Sequence, residues 1–179
     1  MADTAESRAV VERFVEQVAN GHRVEHIDEL CLPDHVLFHP ALPMTVYGTE
    51  QFKRALVGQI WGPFPDHTLD VQDVIADGEH VAIRFKVTAV NTGELNGVKP
   101  TGKTINGTGA VVYRVVDGKI ASSHIEEDVL KMLFDMSMVP KNMTVLYILK
   151  KIGFVRLLQK LGKVPSGTPE WAREPTASE

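Results

Sequence analysis

One carboxylate and two imidazoles stand where this sequence could move a proton. His39 follows the apolar pair Leu37-Phe38, and His124 and Asp128 lie four apart in the last β-type segment. A carboxyl at a strand end beside apolar walls has its charged form disfavoured and its pKa raised. That is what a general acid or base needs near neutral pH. Arg84 and Arg114 are accessory candidates on neighbouring segments. Each group also has a plainer role open to it. Asp128 could cap a helix beginning at Val129, and the arginines could pair with carboxylates on an exposed sheet face. His35 and His39 are four apart in a strand-like segment, share a face only loosely, and read as pocket or surface histidines rather than metal ligands. The sequence has no G-x-S-x-G elbow, no H-E-x-x-H and no Cys/His pair at zinc spacing. Gly97, Gly102, Lys103 and Thr104 satisfy the bare phosphate-loop spacing. No buried parallel strand precedes them and a strand rather than a helix follows, so nucleotide binding is not expected.

The elements that must position these residues follow from periodicity. Val11, Phe14, Val15 and Val18 recur at helical spacing, with Asp3 or Thr4 as a cap and Asn20-Gly21 as a stop. A short second helix holds Val24, Ile27, Leu30 and Cys31 and stops before Pro33. Val36 to His39 reads as a short strand broken by Pro40. A third helix follows Gly48, carries Phe52, Ala55, Leu56 and Ile60, and ends at Gly62-Pro63. From His67 the period changes to two. A three-residue loop at Asp77-Gly78-Glu79 would pair Ile75 with Val81, Val71 with Phe85, Leu69 with Val87 and Asp70 with Lys86. A second hairpin, Thr104 to about Asp128 around Asp117-Gly118, would set Arg114 opposite Ser122, Val112 opposite His124 and Thr108 opposite Asp128. Ser122, His124, Arg114 and Asp128 then share one face. Helices followed by a run of strands predict an α+β fold, a curved antiparallel sheet wrapped around N-terminal helices that can leave a cavity between them.

At 179 residues the chain is about one domain in size, with 44% hydrophobic and 23% charged residues, an ordinary globular balance. A net charge of −4 carries no electrostatic footprint for nucleic acid. One cysteine, Cys31, excludes an internal disulfide and suits a reducing compartment. The first ten residues lack an apolar signal-peptide core, and a cytoplasmic protein is expected. After Pro140 the character changes. Val145, Ile148, Leu149, Ile152, Leu157, Leu158 and Leu161 mark an extra amphipathic helix that ends at Gly162 and is rich in lysine. It could pack on the rest, close the cavity mouth, swap onto a partner subunit, or lie on an anionic membrane surface. Val164 to Glu179 reads as a tail. The expected organisation is therefore a domain over residues 1–140 and a C-terminal helix with tail over 141–179.

The strings His39-Pro40-Ala41-Leu42-Pro43, Gly48-Thr49-Glu50, Phe64-Pro65-Asp66, Pro100-Thr101-Gly102-Lys103 and Asp117-Gly118-Lys119-Ile120, followed by Asp128, resemble the SnoaL-like polyketide cyclase and ester cyclase family of the nuclear-transport-factor-2-like superfamily. The resemblance runs from about Ala5 to Pro140 and implies a cone-shaped α+β barrel with a deep apolar pocket. It implies Asp128 as the acid/base of an intramolecular aldol closure, without metal or cofactor, with His39 at a pocket-lining position. His124 stands where many relatives carry tryptophan. The activity expected is a cofactor-independent cyclase or isomerase acting on a small hydrophobic carbonyl compound, in a homodimer. Asp128 would take the proton, and His39 or His124 would orient it or donate to the developing oxyanion. Phe38, Phe64, Phe85 and Met132 are candidate walls. A non-catalytic ligand-binding or dimerisation module is the second reading. Epoxide opening ranks below both, because it needs two carboxylates bridged by an arginine, and Lys86 stands where the acid partner of Arg84 and Asp128 would be sought.

Overall fold

The computed structural model describes residues 3–140, 142–151, 153 and 154. Helix α1 (Thr4–Phe14) is capped by Asp3, whose carboxylate accepts the Ala5 N–H at 2.9 Å. It continues as wider π-helical turns over Val15–Asn20 and buries Val11, Phe14, Val15 and Val18, the stripe its spacing predicts. Gly21 keeps a right-handed backbone, and His22 takes the left-handed conformation instead, with φ 54°. A 3-10 turn (Val24–His26) and α2 (Ile27–Leu30) lead into β1 (Cys31–Phe38). Cys31 thus begins a strand rather than ending a helix, and Pro33 sits inside that strand where pairing with β6 is irregular. After β2 (Val46–Tyr47), α3 (Thr49–Ala55) again runs on as π-helical turns (Leu56–Trp61). Four long strands follow: β3 (Thr68–Asp77), β4 (His80–Val90), β5 (Thr104–Val116) and β6 (Lys119–Glu127). Two short helices close the described part, α4 (Val129–Asp135) and α5 (Met143–Lys151).

The six strands form one curved, unclosed sheet in the order β2-β1-β6-β5-β4-β3. It is a half-wrap rather than a closed barrel. It is also not wholly antiparallel, since β1 runs parallel to β6. That pairing carries the N-terminal strand beside the C-terminal one and brings His39 alongside the end of β6.

Both hairpins turn on two residues, not three. Asp77 pairs with His80 and Val116 with Lys119. Asp117 and Gly118 both have positive φ, the requirement of a tight turn matched to strand twist. Near the first turn, Ile75 therefore faces Ala82, and Val81 faces Ala76. A bulge between Val71 and Asp73 then restores the predicted pairs Val71–Phe85, Asp70–Lys86 and Leu69–Val87. A second irregularity between Arg114 and Val115 does the same, giving Arg114–Ser122 and Val112–His124 as predicted.

The concave face packs on the helices. Its main core unites Val11, Phe14 and Val18 with Phe52, Phe85, Val111, Tyr113 and Ile120. A smaller cluster of Phe64, Ala89, Ile105 and Met136 lies toward the open end. The loop between β4 and β5 is organised by buried Asn91, whose Oδ1 accepts from Thr101 N and Oγ1 at 2.8 and 3.0 Å. Gly97 and Gly102 of the phosphate-loop-like spacing supply positive-φ positions in this loop, and Lys103 reaches Ser137 Oγ at 2.7 Å. Of the predicted C-terminal helix, Val145, Ile148 and Leu149 lie on α5; Ile152, Leu157, Leu158, Leu161 and the tail lie outside the described residues. No helix among the described residues is long and apolar enough to cross a membrane.

Candidate active site

Between the helices and the concave face lies a cavity. Phe14, Leu37, Phe52, Phe85 and Tyr113 line its depth; Phe64, Leu95, Met132 and Met136 line the side toward α4. Two glycines on the inner face of β5 leave room beneath it. A Cβ at Gly109 would stand 2.6 Å from Phe85 Cζ and 3.0 Å from Glu127 Cγ, and one at Gly107 2.8 Å from Val87 Cγ1.

Strand parity decides which polar groups reach this space. Along β6, Ser123, Ile125 and Glu127 face the cavity, whereas His124, Glu126 and the following Asp128 are exposed. Glu127 is the one acidic side chain among the described cavity-lining residues, which include no lysine or arginine. Its side chain is 11% exposed, and its Oε2 lies 3.5 Å from Nε2 of buried His39. Burial in an apolar wall, with no cation facing it among the described residues, pushes the Glu127 carboxyl up to about 7. Burial acts oppositely on His39, holding its imidazole down to about 4, so it is neutral at pH 7. The contact is therefore a neutral imidazole beside a carboxyl, not an ion pair. The tautomer follows from the other nitrogen. Nδ1 of His39 accepts the Ala41 N–H at 3.1 Å, which leaves the ring proton on Nε2, facing Glu127.

Deeper in the cavity, Ser123 Oγ lies 3.0 Å from Nε2 of His35. The His35 ring stacks on Phe52 at 4.7 Å and is pushed down to about 4 by burial. His35 and His39 thus share the inner side of the sheet, each with its own partner.

The residues singled out in the sequence divide into two sets. His39, Phe64, Phe85 and Met132 line the cavity. Asp128, His124, Phe38, Arg84 and Arg114 do not. Asp128 is exposed and accepts the Lys131 N–H at 3.0 Å, capping α4. His124 and Phe38 sit side by side on the outer face with ring centroids 6.4 Å apart. Arg84 pairs with Asp73 at 2.7 Å and Arg114 with Glu79 at 2.9 Å, both on the exposed side. The shared face read from the second hairpin is real, but it is the solvent face. No arginine and no second carboxylate stand beside Glu127 among the described cavity residues, so the set that epoxide opening would need is not assembled there. Glu127 itself was missed. Its signal was the alternation with Ile125 and, across the ladder, Val111 and Tyr113, which marks the apolar face of β5 and β6.

A curved mixed sheet over N-terminal helices, with an apolar cavity between them that holds one carboxyl among its described lining residues, defines an α+β fold class. Residues 9–136 match the SnoaL-like polyketide cyclase family, and the chain belongs to it. No curated protein sequence is significantly similar to the chain. Among solved structures, AclR, a proposed hydroxylase from Streptomyces galilaeus, is 28% identical with a TM-score of 0.66, covering 77% of this chain and 100% of its own. IdmH, a proposed polyketide cyclase from Streptomyces antibioticus, is 27% identical with a TM-score of 0.58, covering 73% and 98%. A proposed SnoaL-like polyketide cyclase from Jannaschia, 22% identical with a TM-score of 0.66 and covering 76% and 95%, shares the fold.

Proposed function

We propose that this chain is an acid–base enzyme that closes or isomerises a hydrophobic carbonyl compound, moving the proton through Glu127. The observation that carries this reading is a raised-pKa carboxyl, the one acidic group among the described residues of a largely apolar cavity, beside the N–H of a neutral imidazole. Near pH 7 such a carboxyl is divided between its two forms, so it can take a proton and return it without a large penalty in either direction. In the forward step, ionised Glu127 removes a proton from a carbon flanked by carbonyls, and the electron pair passes to the carbonyl oxygen. The His39 Nε2–H would donate to that oxygen as charge develops. The carbon of the enolate then attacks a second carbonyl of the same molecule, forming a carbon–carbon bond. Protonated Glu127 returns its proton to the new alkoxide. Apolar walls holding the substrate folded on itself supply the entropic part of the acceleration. The names of AclR and IdmH, a hydroxylase and a cyclase, concern those proteins; they support enzymatic chemistry here without fixing which.

The test is proton exchange into an aryl β-ketoester in D₂O, followed by the loss of its C2–H signal in ¹H NMR. Wild type is expected to accelerate exchange. Glu127→Gln should lose about 10²–10⁴-fold of that acceleration, and Asp128→Asn should stay within about twofold, since that carboxylate points to solvent. Full exchange activity in Glu127→Gln would remove Glu127 from the proton's path, and no acceleration by wild type would leave the non-catalytic binding module as the better reading.

A further inference from the structure

At the far side of the same cavity stands a second polar device that the acid–base chemistry does not use. His67 precedes β3, is buried, and lines the cavity. Its Nδ1 lies 2.9 Å from Nε2 of His22, and that same His22 nitrogen is 3.2 Å from the His67 carbonyl oxygen. A carbonyl oxygen only accepts, so His22 Nε2 carries a proton and serves both contacts as donor. His67 Nδ1 is then an acceptor, and the His67 ring proton resides on Nε2. That nitrogen has no protein partner among the described residues. His22 is held for this task by its surroundings. Its backbone is left-handed, at φ 54°, sparsely populated for a residue with a side chain. Its ring lies nearly parallel to those of Trp61 and His67, with centroids 4.9 Å from each. Trp61 also lines the cavity, and its buried indole N–H has no hydrogen-bond partner among the described residues.

We propose that His67, fixed in its Nε2–H form by His22, is a substrate-binding donor that receives an oxygen of the ligand at the end of the cavity remote from Glu127. This rests on the acid–base reading above and adds to it a residue that fixes where an oxygen of the ligand lies. Burial, and secondarily the nearby His22, hold His67 down to about 4, so the donor stays neutral and offers a hydrogen bond rather than a charge. That suits a carbonyl or phenol oxygen and gives no ion pair to a carboxylate ligand. Position sets the length. Glu127 ends β6 and His67 leads into β3, with β5 and β4 between them in the sheet. Three strand spacings amount to ~14 Å along the sheet, less across its curve. A molecule touching both groups is therefore an elongated, ring-sized-or-larger carbonyl compound oxygenated at both ends, not a small keto acid.

The probes are 1,8-dihydroxyanthraquinone and anthracene, equal in ring number and different in oxygen content. Long-range ¹H–¹⁵N spectra should show His67 protonated at Nε2 in wild type, with that signal moving when the anthraquinone is added. His67→Phe and His22→Phe should each weaken anthraquinone binding roughly five- to tenfold, the worth of one buried hydrogen bond, and leave anthracene binding unchanged. His67→Gln and His22→Gln, which keep an N–H donor, should restore most of the loss. Should a Phe variant fail to fold, the wild-type spectra and the Gln variants still decide the matter. His67 protonated at Nδ1, equal weakening of both probes, or binding of neither probe would overturn the proposal. Failure of the acid–base reading is seen separately, as retained exchange activity in Glu127→Gln with anthraquinone selectivity intact.

Discussion

Between Glu127 and Asp128 the chain changes both face and secondary structure. Glu127 is the last residue of β6 and points inward with Ile125 and Ser123; Asp128 is the N-cap of α4 and points to water. Two neighbouring carboxylates thus receive opposite surroundings, one apolar and one aqueous, from one step of backbone. Burying Glu127 has a cost that can be measured. A folded-state carboxyl raised from 4.5 to about 7 binds its proton more tightly than in the unfolded chain. Its favourable contribution is full below pH 4.5 and is lost as pH rises through about 7. At pH 8 the ionised group is destabilising by on the order of 3 kcal/mol relative to a neutral isostere. Glu127→Gln is therefore expected to be more stable than wild type at pH 8 by up to about this amount. The advantage should vanish near pH 4, as followed by urea denaturation at both values. A residue that weakens the fold where it is ionised is in keeping with a site kept for chemistry rather than packing.

At the scale of elements, the helical stripe of α1, a cap at Asp3 or Thr4, the places of the two hairpin turns and the run of strands β3 to β6 were legible, because each rests on local periodicity or turn chemistry. The parallel pairing of β1 with β6 was not, since it joins segments far apart in sequence and has no local signal. Nor were the bulges. The pairing of Val71 with Phe85 demanded an extra residue, which could sit in the turn or in the strand, and the strand took it at Gln72. The site was half legible for a related reason. The register of the second hairpin was right, but polar density drew attention to the face of Arg114, His124 and Asp128. Apolar partners marked the other face as the interior. Two glycine substitutions test the packing account. Gly109→Ala places a Cβ 2.7 Å from the Glu126 carbonyl oxygen and against Phe85, and should destabilise by about 1–3 kcal/mol. Gly58→Ala lies on the helical run Leu56–Trp61 with nothing within 4 Å, and should stabilise by about 0.5–1 kcal/mol. Denaturation midpoints of the two variants should therefore move in opposite directions.

For the molecule as a whole, three buried histidines govern the response to acid. His35, His39 and His67 are each lowered from 6.5 to about 4 by burial. A base whose folded pKa is depressed contributes stability that is present above 6.5 and is lost as pH falls toward 4. Each would cost about 2 kcal/mol by pH 5, outweighing the opposite trend of the single Glu127. The melting temperature is expected to fall steadily between pH 6.5 and 4, and His67→Gln should lessen that slope. These histidines also tie the wall of the cavity to the fold. His35 joins β1 to β6 through Ser123, His39 faces the end of β6, and His22 with His67 joins the end of α1 to the start of β3. The family fold thus provides a curved sheet and an apolar hollow, and a few buried polar side chains, among them His39, His67, Ser123 and Glu127, line that hollow. Glu127, not Asp128, is proposed as the proton-transferring carboxyl, and a ¹³C NMR titration of the glutamate side-chain carboxyls decides the matter. One carboxyl, absent from the spectrum of Glu127→Gln, should titrate near 7. A Glu127 signal titrating at the ordinary glutamate value of 4.5 would contradict the account.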